Sequence, residues 1–315
     1  MMRPADAAGS NDLNGAATIS RARSPTLDRM RRMQSRESAR IAFIGGGNMA
    51  RALIAGLLHQ AVPAGQIKVG EPRAEACRSL QREWGIDASV DNAAAVRDAA
   101  LVVLAVKPQE AGEVLRALQP ALLAARPVVL SIAAGLRIAD LARACPAGTA
   151  IVRAMPNRPA LLGAGVTGMY APPSVTAAQR ALAELVGAAA GRAIWLRAEA
   201  ELDVVTALSG SGPAYFFLLA EQMAQAAEAL GLERGTAALL AAETLHGAGL
   251  LAHDGTPLAE QRAAVTSKGG TTEAALRVLH EGGFDALIAR ALRAASERSG
   301  QLADMLSAAP PAERP

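Results

Sequence analysis

The chain has 315 residues, of which 51% are hydrophobic and only 3% are aromatic. This length allows about two domains of ~100–200 residues with a core of Ala, Leu and Val, and the shortage of aromatic residues counts against a stacking platform for single-stranded nucleic acid. Residues 1–37 hold seven Arg and four acidic residues, which accounts for the whole net charge of +3. The rest of the chain is therefore neutral overall, and its charge does not indicate a nucleic-acid partner.

The cysteine, histidine and hydropathy patterns predict a cytoplasmic protein without a metal site. Cys77 and Cys145 have no metal-ligand spacing and are too few for a disulfide framework, so we expect free thiols in a reducing compartment. The four His residues form no cluster. We find no run of about 18 apolar residues and no signal-peptide core, which argues against a membrane span and against export. Residues 1–38 are predicted to be a disordered extension and 307–315 a frayed tail.

Residues 39–198 carry the pattern of a Rossmann domain, an α/β fold with a doubly wound, mostly parallel sheet. Short apolar runs alternate with Ala-rich helical stretches, and this alternation is typical of parallel sheets. The runs are apolar throughout, as expected when helices cover both faces of the sheet. The predicted strands are 41–44, 66–69, 101–106, 128–132, 150–153, 165–168 and 193–196, and the first two predicted helices are 48–58 and 74–84.

A glycine turn follows the first predicted strand and opens the first helix. Gly45, Gly47 and Ala50 give the spacing G-x-G-x-x-A. In such a turn the first Gly permits the sharp bend, the second lets a pyrophosphate reach the backbone, and a small third residue lets helix and strand pack closely. Because the turn lies in the required strand–turn–helix context, it predicts a dinucleotide cofactor.

The charged residues after the second strand leave the cofactor open between NAD(H) and NADP(H). Glu71 lies 24 positions after Gly47, where a carboxylate can accept hydrogen bonds from the ribose 2′-OH of NAD(H). Arg73 lies two positions further on and could instead pair with the 2′-phosphate of NADP(H). Both residues are therefore candidates for cofactor binding.

Three further motifs follow strands at the same edge of the predicted sheet. These are Lys107-Pro108, the segment 131–135 and the segment 155–157. They lie at the carboxyl ends of parallel strands, where open α/β sheets hold their ligands. Each motif alone also fits a simple strand-terminating turn, but together with the glycine turn they predict a cleft.

Residues 199–306 are predicted to form an all-helical dimerisation and substrate domain. The β pattern stops after Ala198, and helices are predicted over 202–208, 213–230, 235–253, 272–280 and 284–306. The segment 209–215 is predicted to be a Gly-rich link between the first two helices, with Pro213 in a first helical turn. The segment 236–252 is apolar nearly all round, which predicts its burial in a subunit interface.

The segment 265–273, Val-Thr-Ser-Lys-Gly-Gly-Thr-Thr-Glu, places hydroxyls and two glycines directly before a helix. The first N–H groups of a helix have no intrahelical partner and this end is partly positive, so it attracts carboxylate or phosphate. We expect Thr271 or Thr272 to be the N-cap, with Gly269 and Gly270 letting backbone amides approach a ligand. Taken alone, the pattern also fits an ordinary helix start.

Together these motifs resemble pyrroline-5-carboxylate reductase, the last enzyme of proline biosynthesis, over residues 40–305. The segments 207–215 and 265–272 are the specific part of this resemblance, since many dehydrogenases share the glycine turn. The resemblance implies a Rossmann domain followed by a helical domain that joins subunits into a homodimer or a higher homo-oligomer. It further implies an NADP(H) or NAD(H) cofactor and a cyclic imino acid as the small-molecule substrate.

The resemblance also assigns residues to each half of the site. The implied cofactor site comprises Ile44, Gly45, Gly46, Gly47, Asn48, Met49, Asn92, Ala105, Val106, Lys107, Pro108, Ile132, Ala133 and Ala134. The implied substrate site comprises Ser267, Gly269, Gly270, Thr271 and Thr272, with the Thr272 hydroxyl in contact with the ring nitrogen.

Two departures from the family pattern bear on substrate preference. Arg158 stands where the family's Met-Pro-Asn motif usually continues with Thr, and Lys268 replaces a frequent Pro. Arg158 adds a cation near the expected nicotinamide end of the cleft, where it bears on the finer substrate preference.

Two alternatives of other kinds stay open from the sequence. A β-hydroxyacid dehydrogenase of similar two-domain build would need a lysine base on a helix of the second domain, but the only lysine after residue 198 is Lys268, in a predicted loop. A non-catalytic dinucleotide-sensing dimer would bind NAD(P)(H) and leave a cyclic imine unchanged.

Overall fold

The computed structural model describes residues 39–308, and the first part of this range folds around an eight-stranded sheet. The predicted extension 1–38 and residues 309–315 of the predicted tail lie outside the described residues. The strands are β1 (Arg40–Ile44), β2 (Ile67–Gly70), β3 (Asp87–Ser89), β4 (Ala99–Leu104), β5 (Val128–Ser131), β6 (Ile151–Met155), β7 (Gly165–Tyr170) and β8 (Gly191–Trp195).

Helices cover both faces of the sheet because its strands are apolar on both sides. In β1, Ile41 and Phe43 belong to one buried cluster, and Ala42 and Ile44 to the other. The first cluster includes residues of α1 (Asn48–His59), α2 (Ala74–Trp84) and α6 (Ala177–Gly187). The second includes residues of α3 (Asn92–Val96), α4 (Pro108–Ala125) and α5 (Ile138–Ala144). The predicted doubly wound α/β class is confirmed.

The strand order is β3-β2-β1-β4-β5-β6-β7-β8, with β1 to β6 parallel to one another. β7 runs antiparallel to β6, and β8 runs parallel to β7. The prediction that the parallel sheet continues through 165–168 and 193–196 was therefore wrong in direction. Only residues 156–164 join β6 to β7, and a parallel pair needs a crossover of about a dozen or more residues.

The chain after β8 is helical, as predicted. Its elements are α7 (Glu201–Val205), a π-helical turn (Thr206–Gly210), α8 (Gly212–Ala229), α9 (Arg234–Ala252), α10 (Leu258–Ala264), α11 (Thr271–Glu281) and α12 (Phe284–Ala308). The predicted Gly-rich link 209–215 is not a loop, because the π-helical turn carries α7 directly into α8. The short helix α10 was not predicted, and α12 extends through Ser307 and Ala308, which were predicted to belong to the tail.

Polar contacts join the helical part to the sheet at α5 and β6. The Arg153 guanidinium on β6 lies 2.7 Å from a carboxylate oxygen of Glu199, and the same oxygen accepts a hydrogen bond from the Ile138 N–H at the start of α5. Arg137 forms an ion pair with Asp304 of α12 at 2.7 Å. These contacts hold the last helix beside the loop that follows β5.

Candidate active site

The glycine turn holds three strand ends together at the carboxyl edge of the sheet. The Gly45 N–H donates to the Gly70 carbonyl at 2.8 Å, and the Ala105 N–H donates to the Ile44 carbonyl at 2.8 Å. Gly45 has a φ of +98°, and a Cβ at this position would lie 2.6 Å from the Ala105 carbonyl oxygen. A side chain at Gly45 is therefore excluded by both backbone conformation and space.

The start of α1 is open for an anion. Gly47 is the N-cap of α1, and no side chain among the described residues caps this helix. Gly47 and Asn48 are exposed, and a Cβ at Gly47 would meet nothing within 4 Å. The first N–H groups of α1 therefore face open space between β1 and β4, the position where the strand order reverses and where open α/β sheets bind dinucleotides.

Glu71 and Arg73, which the sequence offered as alternative cofactor contacts, pair with each other. One oxygen of the Glu71 carboxylate accepts a hydrogen bond from the Gly46 N–H at 2.9 Å, and the other accepts one from Arg73 Nε at 2.7 Å. The Arg73 N–H also donates to the carboxylate, at 3.2 Å. The Glu71 side chain is 5% exposed and the Arg73 side chain 70% exposed.

The electrostatics of this pair follow from its hydrogen bonds. Burial raises the pKa of Glu71, but the hydrogen bonds from Arg73 and from the Gly46 N–H outweigh burial, so the net pKa lies below the ordinary value of a glutamate. The hydrogen bond and charge of Glu71 raise the pKa of Arg73. Glu71 is therefore an anion, and Arg73 a cation, throughout the neutral range.

Asn92, at the start of α3, lies against β2. Its Oδ1 atom is buried and has no hydrogen-bond partner among the described residues. A Cβ at Gly70 would collide with this atom, so the glycine makes room for the amide. Asn92 therefore lies beside the glycine turn, where the sequence resemblance expects the cofactor, while its Oδ1 atom is covered by protein atoms.

The segments after β4 and β5 form the next part of the same edge. The Ile132 N–H donates to the Leu104 carbonyl at 3.1 Å, which brings the segment 132–134 beside 105–108. Ala105, Val106, Pro108 and Ile132 are half-buried, Ala133 is buried, and Lys107 and Ala134 are exposed. A Cβ at Gly135 would lie 3.1 Å from the Leu306 side chain, so α12 packs behind this loop.

Two motifs that the sequence showed separately meet in the structure. The Asn157 amide nitrogen donates to the Ser209 carbonyl at 3.1 Å, and its Oδ1 accepts the Val166 N–H at 2.9 Å. Asn157 thus ties the end of β6 to β7 and to the π-helical turn. The sequence indicated both motifs but not this contact. The signal was a polar amide directly after an apolar strand, and such a buried group needs partners.

The segment 265–272 ends at α11 with a cap that differs from the prediction. Gly270, and neither Thr271 nor Thr272, is the N-cap of α11. The Gly269 N–H donates to the Glu273 carboxylate at 2.6 Å, and Gly269 has a φ of +72°. The Glu273 side chain therefore reaches back over the turn, and no threonine hydroxyl is needed as a cap. Ser267, Gly269 and Thr271 are exposed, whereas Gly270 and Thr272 are half-buried.

Neither cysteine is the exposed, low-pKa thiol that reactive cysteines need. Cys145 is buried, and burial raises the pKa of its thiol to about 11. Burial also raises the pKa of Cys77, whose Sγ lies 3.1 Å from the Glu71 carbonyl oxygen. Within residues 39–308 no group of three or more His, Cys, Asp and Glu side chains is placed to hold a metal ion.

Fold and site together define a Rossmann-type nicotinamide-dinucleotide oxidoreductase followed by a helical domain. Residues 40–135 match the family described as "NADP oxidoreductase coenzyme F420-dependent". Residues 199–302 match the family described as "Pyrroline-5-carboxylate reductase dimerisation".

Similarity to individual proteins over nearly their full length identifies the family. The chain is 49% identical over 268 residues to a pyrroline-5-carboxylate reductase of Pseudomonas aeruginosa, covering 85% of this chain and 98% of the relative. The structure of a pyrroline-5-carboxylate reductase from Coxiella burnetii matches with a TM-score of 0.81 and 38% identity, over 84% of this chain and 99% of that one. Plasmodium falciparum pyrroline carboxylate reductase with NADP bound matches with a TM-score of 0.70 and 26% identity, over 85% and 99%. The chain belongs to the pyrroline-5-carboxylate reductase family and is an NAD(P)H-dependent oxidoreductase.

The dimerisation match also accounts for an exposed apolar helix. The helical run from Glu201 to Ala229 is long and apolar enough to cross a membrane by length and composition, and only 17% of its apolar window is buried within the chain. This run lies inside the residues that match the dimerisation family. The match therefore offers a reason for this apolar surface, and it supports a homo-oligomer with a small-molecule substrate.

Proposed function

We propose that this chain reduces the C=N bond of 1-pyrroline-5-carboxylate to give L-proline, in the cytoplasm and with NAD(P)H as the hydride donor. The observation that carries this proposal is the open edge of the sheet, where the uncapped start of α1 and the segments 105–108 and 132–134 lie side by side. The same chain carries a second helix start, at Thr271, that suits a carboxylate.

The cofactor half of the proposed site follows from the contacts at the sheet edge. The amides of residues 45–49 bind the pyrophosphate, since the start of α1 is open. Asn92 and the Glu71–Arg73 pair lie toward the adenosine ribose, and the segments 105–108 and 132–134 line the nicotinamide end. When bound, the reduced nicotinamide supplies the hydride that the imine carbon accepts.

The substrate half of the proposed site needs little acid–base chemistry. The backbone amides of Thr271 and Thr272, together with the Ser267 hydroxyl, hold the substrate carboxylate at the positive end of α11. Gly269 and Gly270 shape the turn, since their N–H groups already donate to the Glu273 carboxylate and to the Ser267 carbonyl. The Thr272 hydroxyl contacts the ring nitrogen and orients or protonates it. A cyclic iminium is already an electrophile, so positioning its carbon at ~3–3.5 Å from the hydride donor supplies much of the rate enhancement.

The proposed assembly is a homodimer, or a higher homo-oligomer, built through α8 and α9. The two helices pack against each other, and a single chain leaves Phe216, Phe217, Leu239 and Leu250 more than half exposed. Several large apolar side chains exposed on two adjacent helices are typical of a protein interface. We propose neither a nucleic-acid partner nor a membrane partner.

An assay of cofactor absorbance tests the proposal against both rivals. NADPH should be oxidised by the purified full-length chain when 1-pyrroline-5-carboxylate is added, and proline should form in equal amount. A dinucleotide sensor would bind NADPH without any substrate-dependent oxidation. A β-hydroxyacid dehydrogenase would instead reduce NADP⁺ when a β-hydroxyacid is added. Either result, without turnover of the imine, would overturn the proposed function.

A further inference from the structure

We propose that Glu71 is a positioning residue that holds Gly46 and Arg73 in place, and that Arg73 binds the 2′-phosphate of NADPH. An acidic residue at this position of a Rossmann fold otherwise accepts the ribose hydroxyls of NADH. The inference rests on the proposed function only in requiring that the sheet edge binds NAD(P)H. It assigns the chain a preference for NADPH that neither residue reveals alone.

The Glu71 carboxylate is closed to a ribose. Both of its oxygens accept hydrogen bonds from the protein, at 2.9 Å from the Gly46 N–H and at 2.7 Å from Arg73 Nε. Its side chain is 5% exposed. The space beside Gly46 is filled as well, since a Cβ there would lie 3.0 Å from the Leu80 side chain. A ribose hydroxyl could reach the carboxylate only by displacing these contacts.

The Arg73 guanidinium is held at one end and open at the other. Nε and the backbone N–H of Arg73 both donate to Glu71, which fixes the base of the side chain. The side chain is nevertheless 70% exposed, so its terminal nitrogens can donate to an incoming anion. A guanidinium that is held in this way loses less conformational freedom when it binds a phosphate.

The local field also favours a phosphate. Arg73 is the N-cap of α2, and no side chain within the described range caps this helix. The partly positive start of an eleven-residue helix therefore adds to the charge of Arg73. The Glu71–Arg73 pair is neutral as a whole, so the buried carboxylate does not exclude the 2′-phosphate, and the attraction comes from the exposed guanidinium N–H donors and from the start of α2.

Direct binding of NADPH and NADH, measured by cofactor fluorescence with the full-length protein, tests the inference. Arg73→Ala should weaken NADPH about tenfold or more, as expected for loss of a charge-assisted contact, and change NADH binding less than about twofold. Glu71→Gln keeps the side-chain volume, but a single amide oxygen cannot accept hydrogen bonds from the Gly46 N–H, the Arg73 N–H and Arg73 Nε together. It should therefore weaken both cofactors, and NADPH more than NADH.

The ratio of the two dissociation constants separates the two roles of Glu71. If Glu71 positions Arg73, the preference for NADPH falls in Glu71→Gln, whereas an unchanged preference would show that Arg73 binds without help from Glu71 and would overturn that role. If Glu71 reads the ribose of NADH, its substitution weakens NADH and improves NADPH, so the preference rises, and that outcome overturns the inference. In the Arg73→Ala background, Glu71→Gln should weaken both cofactors by the same factor, because only the glycine turn is then affected.

Two controls keep the result decisive. Glu75→Gln removes an exposed carboxylate from the first turn of the same helix and should change both dissociation constants less than about twofold. Arg73→Ala leaves Glu71 intact, so equal weakening of both cofactors in this variant overturns the inference even where Glu71→Gln does not fold. Cofactor binding needs no imine, so a protein that binds NADPH but leaves 1-pyrroline-5-carboxylate unchanged refutes the proposed function alone.

Discussion

Ala248→Arg should prevent subunit association. Ala248 lies on α9, where Ala237 is the only buried residue among the nineteen of this helix in the described chain. If α9 forms the interface of a symmetric dimer, each dimer buries two new charges without partners. An uncompensated buried charge costs several kcal/mol. Since about 1.4 kcal/mol is a factor of ten, even about 3 kcal/mol would weaken association more than about a hundredfold.

Light scattering after size-exclusion chromatography measures this outcome. Ala248→Arg should give monomers or aggregates, and the wild type should give a dimer or a higher homo-oligomer. Ala124→Arg is the matched control, because Ala124 is exposed in the last turn of α4, where a cation suits the helix dipole. A normal dimer in Ala248→Arg would refute the assignment of α9 to the interface.

Three further predictions address the substrate site, the packing of α1 and the loss of stability at acid pH. Thr272→Val should lower kcat/KM roughly tenfold to a thousandfold with little change in NADPH affinity. Because Gly270 is the N-cap, α11 should persist, and wild-type turnover would refute a role for the hydroxyl. Gly56→Ala should lower the free energy of unfolding by about 1–3 kcal/mol, because its Cβ would collide with a backbone carbonyl. The control Gly65→Ala has open space around it and should be near neutral, so equal thermal stability of the two variants would contradict this packing. The pKa of Glu71 is lowered in the folded state, so the ionised side chain stabilises the fold at neutral pH, and this stabilisation is lost as pH falls below about 4. The difference in unfolding free energy between wild type and Glu71→Gln should therefore shrink at low pH, and a constant difference would contradict the ion pair.

The glycine turn and the elements around it could be predicted because their signals are local. The turn at Gly45 requires a positive φ and leaves no room for a Cβ beside the Ala105 carbonyl. Only glycine meets both conditions, so the spacing of residues along the chain reports the geometry directly. The helices that flank the turn begin and end where turn residues and apolar periodicity change, and the predicted bounds of α2 agree with the structure.

The features that were missed depend on contacts between distant segments. The direction of β7 follows from the short connection after β6, a constraint that strand-like composition does not carry. Asn157 and Ser209 are 52 residues apart, and only the folded chain shows that they meet. The N-cap of α11 was also missed, because several polar side chains near the turn could accept its N–H groups. In the structure the Glu273 carboxylate, from the first turn of the helix, accepts the Gly269 N–H.

The two halves of the site differ in what makes them rigid. The glycine turn is fixed by buried strand ends within one chain, so cofactor binding should need no partner. By contrast, α10 and α11 contain no residue that is buried within the one described chain. We therefore expect their order, and with it the geometry of residues 265–272, to depend on the surfaces that the proposed association would cover. It follows that soluble monomers of Ala248→Arg should still bind NADPH but should lose turnover of the imine. Monomers with wild-type kcat/KM would show that one chain completes the site, and would remove the link between assembly and catalysis.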